Sequence, residues 1–293
     1  MSQQIDTALV KQYGANVEML LQQKGSRLRS AVRNEVQKSE EAYYEQIGVV
    51  AASEVQTRHG DSPLNETPHD RRMVTMKWYD WGDLIDDWDK VRALISPESP
   101  YAQNAAYALG RKQDEVILDS MYGTAKTGKS GGTSTVFDAS NQVVAINYGG
   151  TNVGLTIPKL IEAQRILRKN EALSDGDQAY IAINAKAMAD LLNSTQATNA
   201  DYNSVRALVR GEIDSFVGFK FVHTELIPLD GNSYLRLPCW VKTGLLFTSG
   251  LEVQTRVSER ADKRFSTYVY ARAGFGAVRM QEKKIVEIKA LAT

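Results

Sequence analysis

A complete match to the phosphate-binding P-loop pattern runs through the middle of the chain: Gly123, four residues, Gly128, Lys129 and Ser130. In a working P-loop the glycine-rich turn leaves a β-strand and opens a helix, so that backbone N–H groups and the helix N-terminus surround the phosphates. Here the order is reversed. The residues before Gly123 carry the clearest helical pattern in the chain, and the Gly-Gly-Thr-Ser-Thr that follows Ser130 cannot begin a helix. The β-prone run that would have to supply a magnesium-holding aspartate ends at Asn184. The match is read as a flexible Gly/Ser/Lys connector, with a P-loop NTPase as the remote alternative.

The other chemistry-bearing side chains are sparse. His59 and His69 flank a polar stretch with Asp61, Glu66 and Asp70, but their spacing is that of no helical or turn-based ligand set. They are read as makers of turn-stabilising hydrogen bonds. Asp83, Asp86 and Asp87 invite an acid–base pair, which needs one carboxyl held in an apolar pocket; aspartates in a charged, helical-looking stretch are solvated instead. The interleaved Trp78, Tyr79, Trp81 and Trp88 read as core and interface anchors. Cys239 is the only cysteine, which rules out an internal disulfide and a thiolate cluster. No Ser/His/Asp or Cys/His arrangement is available. The expectation is a non-enzyme with no catalytic residue, metal or cofactor.

Elements that would position these residues must come from a folded chain: 293 residues with 43% hydrophobic side chains can bury a substantial core. No basic-then-apolar leader opens the sequence, and no apolar run approaches the roughly 20 residues of a membrane helix. A product made and kept in the cytosol, without a membrane partner, is expected. Lys plus Arg equals Asp plus Glu, 35 each, so bulk charge gives no argument for nucleic-acid binding. Between Lys77 and Glu98, however, six acidic residues (Asp80, Asp83, Asp86, Asp87, Asp89, Glu98) face three basic ones, and Arg256 to Lys289 holds nine basic against four acidic. These are either two solvated faces or complementary surfaces on neighbouring copies.

Along the chain, the first 40 residues are polar and helix-favouring, with Leu20, Leu21, Leu28, Ala31 and Val32 near helical spacing, and they predict a helical arm. Its stretch from Lys24 to Arg33 has four basic residues and no acidic one, facing either nucleic acid or water. Next come two β-prone runs, residues 47–57 and 73–81, around a Pro/Gly/Asn/Asp-rich tip at 58–72. They predict a hairpin whose arms alternate too little to dock on a core of their own. Ser99 and Pro100 start a helix that continues through Ala105, Leu109, Ile117 and Met121 to a stop at Gly123, with small residues where something packs closely. After a connector, helices are predicted at 158–171, 185–192 and 204–213 and strands at 179–184 and 216–223. Strand-like runs fill the tail, so the class is α+β.

The succession Thr-Arg-His-Gly-Asp, Pro-His-Asp-Arg-Arg, the acidic aromatic run, Ser-Pro-Tyr-Ala and a long helix, spanning about Gln56 to Ala125, resembles the major capsid proteins of tailed bacteriophages. The resemblance implies the Hong Kong 97-type capsid fold: an N-terminal arm (1–41), an extended β-hairpin loop (42–82), a peripheral domain with a long spine helix (83–149, helix 100–122, and 239–293) and an axial domain (150–238). It implies pentamers and hexamers in an icosahedral virion shell around double-stranded DNA, bound without sequence specificity and assembled in the host bacterial cytoplasm. A portal and scaffold or decoration proteins are the implied partners. An encapsulin-like shell packaging protein cargo is the alternative of the same fold. Intersubunit contacts are expected at the loop tip, Arg58, His59, Gly60, Asp61, Pro63, Pro68, His69, Arg71 and Arg72, and an acidic interface at Asp80, Asp83, Asp86, Asp87 and Asp89.

Overall fold

The computed structural model describes residues 22–54, 58, 64–86, 98–150, 153–174, 176–193 and 215–292. In chain order these form β1 (Arg33–Val36), β2 (Glu41–Ile47), β3 (His69–Thr75), β4 (Lys77–Ile85), α1 (Glu98–Tyr122), β5 (Ala125–Thr127), β6 (Thr133–Thr135) and β7 (Val143–Val144). Then come α2 (Ile157–Lys169), β8 (Ala179–Ile183), α3 (Ala185–Asn193), β9 (Ser215–Phe216), β10 (Phe219–His223), β11 (Tyr234–Val241), β12 (Leu245–Arg260), β13 (Ser266–Arg279) and β14 (Ile285–Leu291). The expected helix at 204–213 lies outside the described residues. Two compact units result: a smaller one from the described residues of Met1–Ser26, Trp78–Lys112 and Leu251–Gly274, and a larger one from the rest.

The larger unit centres on a six-stranded sheet in the order β7-β14-β11-β8-β10-β9. β8 and β10 run parallel, Ile181 opposite Phe221, and β11 lies antiparallel between β8 and β14. Helix α2 covers the sheet because Leu160, Ala163, Ile166 and Leu167 recur on one side and all are buried. The boundary expected between 238 and 239 falls inside β11, whose residues pair on both sides; β14 also joins this sheet, whereas β12 and β13 belong to the four-stranded sheet β1-β12-β13-β4. Cys239 lies in that core, fully buried, and burial pushes its thiol pKa well up.

A lysine is buried against this sheet. Lys159 on α2 has no exposed surface, and its Nζ donates to Val153 O (2.7 Å) and Lys289 O (2.8 Å). Burial lowers its pKa to about 8, against the opposing attraction of Asp190. Because the folded value lies below the ordinary 10.5, the unfolded chain binds more protons between the two values and this group's contribution to stability rises with pH there. Stability should therefore gain up to about 1.4 kcal/mol per pH unit above pH 8 relative to Lys159→Met. Unfolding of the two proteins at pH 7.5 and 9.5, test values chosen to straddle that window, measures the difference. Parallel pH profiles would show that Lys159 keeps its ordinary proton affinity in the folded chain.

The N-terminal segment differs from the predicted helix. Residues 22–28 are irregular, a single 3-10 turn spans Arg29–Ala31, and β1 then runs parallel to β12, Arg33 opposite Leu246. Leu28, Ala31 and Val32 are buried, as a helical face would be, but by distant residues: Trp240 donates its indole N–H to Ala31 O at 2.9 Å. Asp114 of α1 accepts from the backbone N–H groups of Arg27 and Leu28. The close approach predicted on α1 is real, since a Cβ on Gly110 would lie 2.6 Å from Gly25 Cα. The basic stretch is largely engaged, with Arg27 on His223 O, Arg29 over the Phe247 ring and Arg33 paired with Glu35.

β12 and β13 are long, 16 and 14 residues, and each has residues in both units, β12 entering the smaller after Gly250 and β13 returning to the larger after Gly274. Within the larger unit, the end of β3 crosses them where glycines allow contact: a Cβ on Gly276 would sit 2.5 Å from Thr75 O, and one on Gly250 2.8 Å from Gln37 O. In the smaller unit β4 is the outer described strand beside β13. The β-prone run expected at 73–81 thus continues as strand through Ile85, and Asp83 lies on it and not in the helical stretch expected. Gly82 lets Tyr268 lie across it, and Trp78 packs over Gly274.

Candidate assembly surfaces

The hairpin forms, with a shifted register. Its paired arms are β2 and β3, Glu41 opposite Thr75 through Ile47 opposite His69, whereas 47–57 and 73–81 were expected. The ladder closes with Gly48 N–H donating to Pro68 O at 2.8 Å. Beyond that bond the described residues have no core: Val49 is 97% exposed, Leu64 94% and Ile47 71%. The root, in contrast, is clamped. Gln46 Nε2 and Arg72 Nε both donate to Met280 O, at 2.6 and 3.0 Å, and Arg72 pairs with Glu282 at 2.9 Å.

Glu282 also faces Arg279, fully buried, whose guanidinium donates to Met121 O (2.8 Å), Gly123 O (2.8 Å) and Thr135 O (3.1 Å). The first two carbonyls lie at the end of α1, where a helix leaves acceptors unsatisfied and its dipole favours a cation. Arg72 and Arg279 thereby tie the hairpin root and the helix terminus to one carboxylate. Sequence reading placed Arg72 at the tip contacts; it is instead buried inside the chain. Arg279 and Glu282 went unnoticed, since nothing local in the sequence marks an arginine whose acceptors lie 158 positions away.

Among the other tip residues, Arg58, Pro68 and His69 are exposed, and Arg71 pairs with Glu45 across the hairpin at 2.7 Å. His59, Gly60, Asp61 and Pro63 lie outside the described residues. Of the acidic run, Asp80 and Asp83 are exposed and Asp86 accepts a hydrogen bond from Ser266 Oγ. Asp87 and Asp89 lie outside the described residues. Among the described residues no three His, Cys, Asp or Glu are grouped to hold a metal ion, and no helix is long and apolar enough to cross a membrane.

The P-loop-like residues build the turn of a small hairpin, β5–β6, which joins the sheet β2-β3-β5-β6. They follow a helix, as expected, but are an ordered turn and not a loose connector. Gly128 and Gly131 take positive φ (83° and 69°), and a Cβ on Gly131 would meet Met73 Sδ at 2.4 Å, so the glycines serve the turn and its packing. Gly128 N–H donates to Asp70, and Lys129 lines a cavity of about 430 Å³ with Glu45, His69, Asp70 and Arg71. Two carboxylates in that wall oppose a triphosphate. Lys129→Ala is expected to leave ATP binding at background and thermal unfolding within about 0.5 kcal/mol of the parent; ATP binding that the substitution abolishes would contradict this.

The fold has close counterparts among solved structures. The capsid of Ralstonia phage GP4 superposes with a TM-score of 0.76 at 8% identity, over 97% of this chain and 96% of that one. The head structure of Helicobacter pylori bacteriophage KHP40 gives 0.75 at 9% identity, over 99% and 98%, and the capsid of Cyanophage P-SCSP1u gives 0.73 at 12%, over 98% and 94%. No curated protein sequence matches the chain. A sequence profile does: that of the family described as phage capsid protein matches residues 5–291, and the chain belongs to that family.

Proposed function

We propose that this chain is the major capsid protein of a tailed phage. Copies assemble as pentamers and hexamers into an icosahedral head around double-stranded DNA, which is held without sequence specificity. A structural role of this kind requires no catalysis. A portal, and scaffold or decoration proteins, are the further partners this role implies. The observation that carries the reading is the β2–β3 hairpin, clamped at its root by buried arginine yet exposing Ile47, Val49 and Leu64. An isolated hairpin is marginal in water, and exposed apolar groups of this density mark an interaction surface. The segment between Gly48 and Pro68 then serves as the extended loop reaching a neighbour, with Arg58, Pro68, His69 and Arg71 at or near the contact. Asp80 and Asp83 provide an acidic interface.

Two measurements test the reading. Negative-stain microscopy of the full chain expressed alone should show closed particles; a protein that stays monomeric at all concentrations would sink it. Charge pairing between copies should make assembly slower in high salt, since the screening length shrinks from about 10 Å at 0.1 M to about 3 Å at 1 M. Assembly rates independent of salt would remove the acidic surface from the interface.

A further inference from the structure

The turn between β12 and β13 combines strain, exposure and charge. Arg264 and Phe265 occupy the left-handed region, with φ of 52° and 61°, a conformation that bulky residues pay to adopt. Phe265 is nonetheless 63% exposed, so the strain is not repaid by burial within the chain. The turn is built to hold this shape. Phe265 N–H donates to Arg260 O at 3.0 Å, the Ser266 hydroxyl is shared between Asp86 and Lys263 O (2.6 Å), and Arg260 is bidentate to Asp262 with its guanidinium over the Tyr268 ring. Asp262 is thereby occupied, and Lys263 and Arg264 make no ion pair of their own among the described residues.

The same unit carries a matching surface on β4, its outer described strand. Trp78, Asp80, Gly82 and Leu84 share one face by strand alternation; Trp78 is 63% exposed, and Asp80 and Leu84 are also exposed. Asp80 makes no hydrogen bond or ion pair among the described residues, and the neighbouring Asp83 accepts only from the N–H of Leu84. One surface is an aromatic preceded by two cations, and the other a carboxylate between two apolar side chains, with a second carboxylate on the opposite face of the same outer strand.

We propose that the β12–β13 turn of one copy docks, through Phe265, Lys263 and Arg264, along the outer edge of β4 of a second copy, against Trp78, Asp80 and Leu84 of one face and Asp83 of the other. The two surfaces are different parts of one copy, so the contact is heterologous and propagates head to tail until a ring closes. The left-handed turn is the cost of presenting an aromatic anchor in advance of docking. The inference rests on the reading that copies of this chain build a shell.

Four full-length variants test it by particle yield and subunit unfolding. Phe265→Gly relieves the strained φ, so its unfolding midpoint should equal or exceed the parent's while particle yield falls about tenfold or more, the effect of 1.4 kcal/mol at a single contact. Lys263→Glu with Arg264→Glu, and separately Asp80→Lys with Asp83→Lys, should each block assembly, and all four changes in one chain should restore it. Normal assembly of Phe265→Gly would overturn the proposal. So would failure of the fourfold reversal to rescue a folded subunit, because the turn would then have another partner. A turn reversal that assembles normally but retains less DNA would place the turn against nucleic acid and also overturn it. A parent chain that forms no particles at all would instead refute the shell reading itself.

Discussion

Replacing Arg279 by methionine is expected to lower the unfolding free energy by about 3–5 kcal/mol, the range for removing one member of a buried ionic cluster. Methionine fills a similar volume, so little of this loss would be a cavity. The cost comes from three carbonyls, the buried Met121 O and the partly buried Gly123 O and Thr135 O, losing their donor, and from Glu282 losing one of two cations. Arg279→Lys should recover only part of it, because an ammonium is a point charge without the planar fork that reaches several acceptors at once. Urea unfolding of parent and variants decides the matter. A loss below about 1 kcal/mol, within the usual range for an ordinary substitution, would mean that the helix terminus is held by other contacts.

The second large effect separates folding from assembly. Residues 49–67 replaced by Asn-Gly, with Gly48 and Pro68 kept, should leave a soluble subunit whose stability changes by only about 1 kcal/mol. Loop length enters stability only logarithmically, and the root contacts of Gln46 and Arg72 remain. The same protein should form no closed particles. The measurement pairs thermal unfolding with electron microscopy of one sample. Normal particles would show that the loop makes no essential intersubunit contact, and an unfolded subunit would show that it belongs to the core.

Much of the architecture was legible because its signals are local. Ser99 and Pro100 mark the start of α1 within two residues, Gly123 marks its end, and the apolar run at 179–184 gives β8. Failures occurred where burial is supplied from far along the chain. Leu28, Ala31 and Val32 have helical spacing, but Trp240 and the parallel pairing with Leu246 decide their fate. The residues after Trp81 looked helical because their charges are locally clustered, yet through Ile85 they continue a strand beside β13, a partner some 190 positions later. Arg72 was grouped with its exposed neighbours since a strand alternates faces and the sequence does not say which of Arg71 and Arg72 points inward. The acceptors of Arg72 and Arg279 exist only once the hairpin, the helix end and the β13–β14 connection converge.

Cys239 has a practical consequence. It is the sole thiol in the sequence, it lies inside the β11 core with no exposed surface, and its pKa is pushed up, so almost none of it is the reactive thiolate at neutral pH. A cysteine engineered at any solvent-facing position would therefore be the one addressable nucleophile per copy. A fluorophore, spin label or maleimide-linked antigen would go to a single known place on every subunit, without removing the native residue from the core it helps to fill.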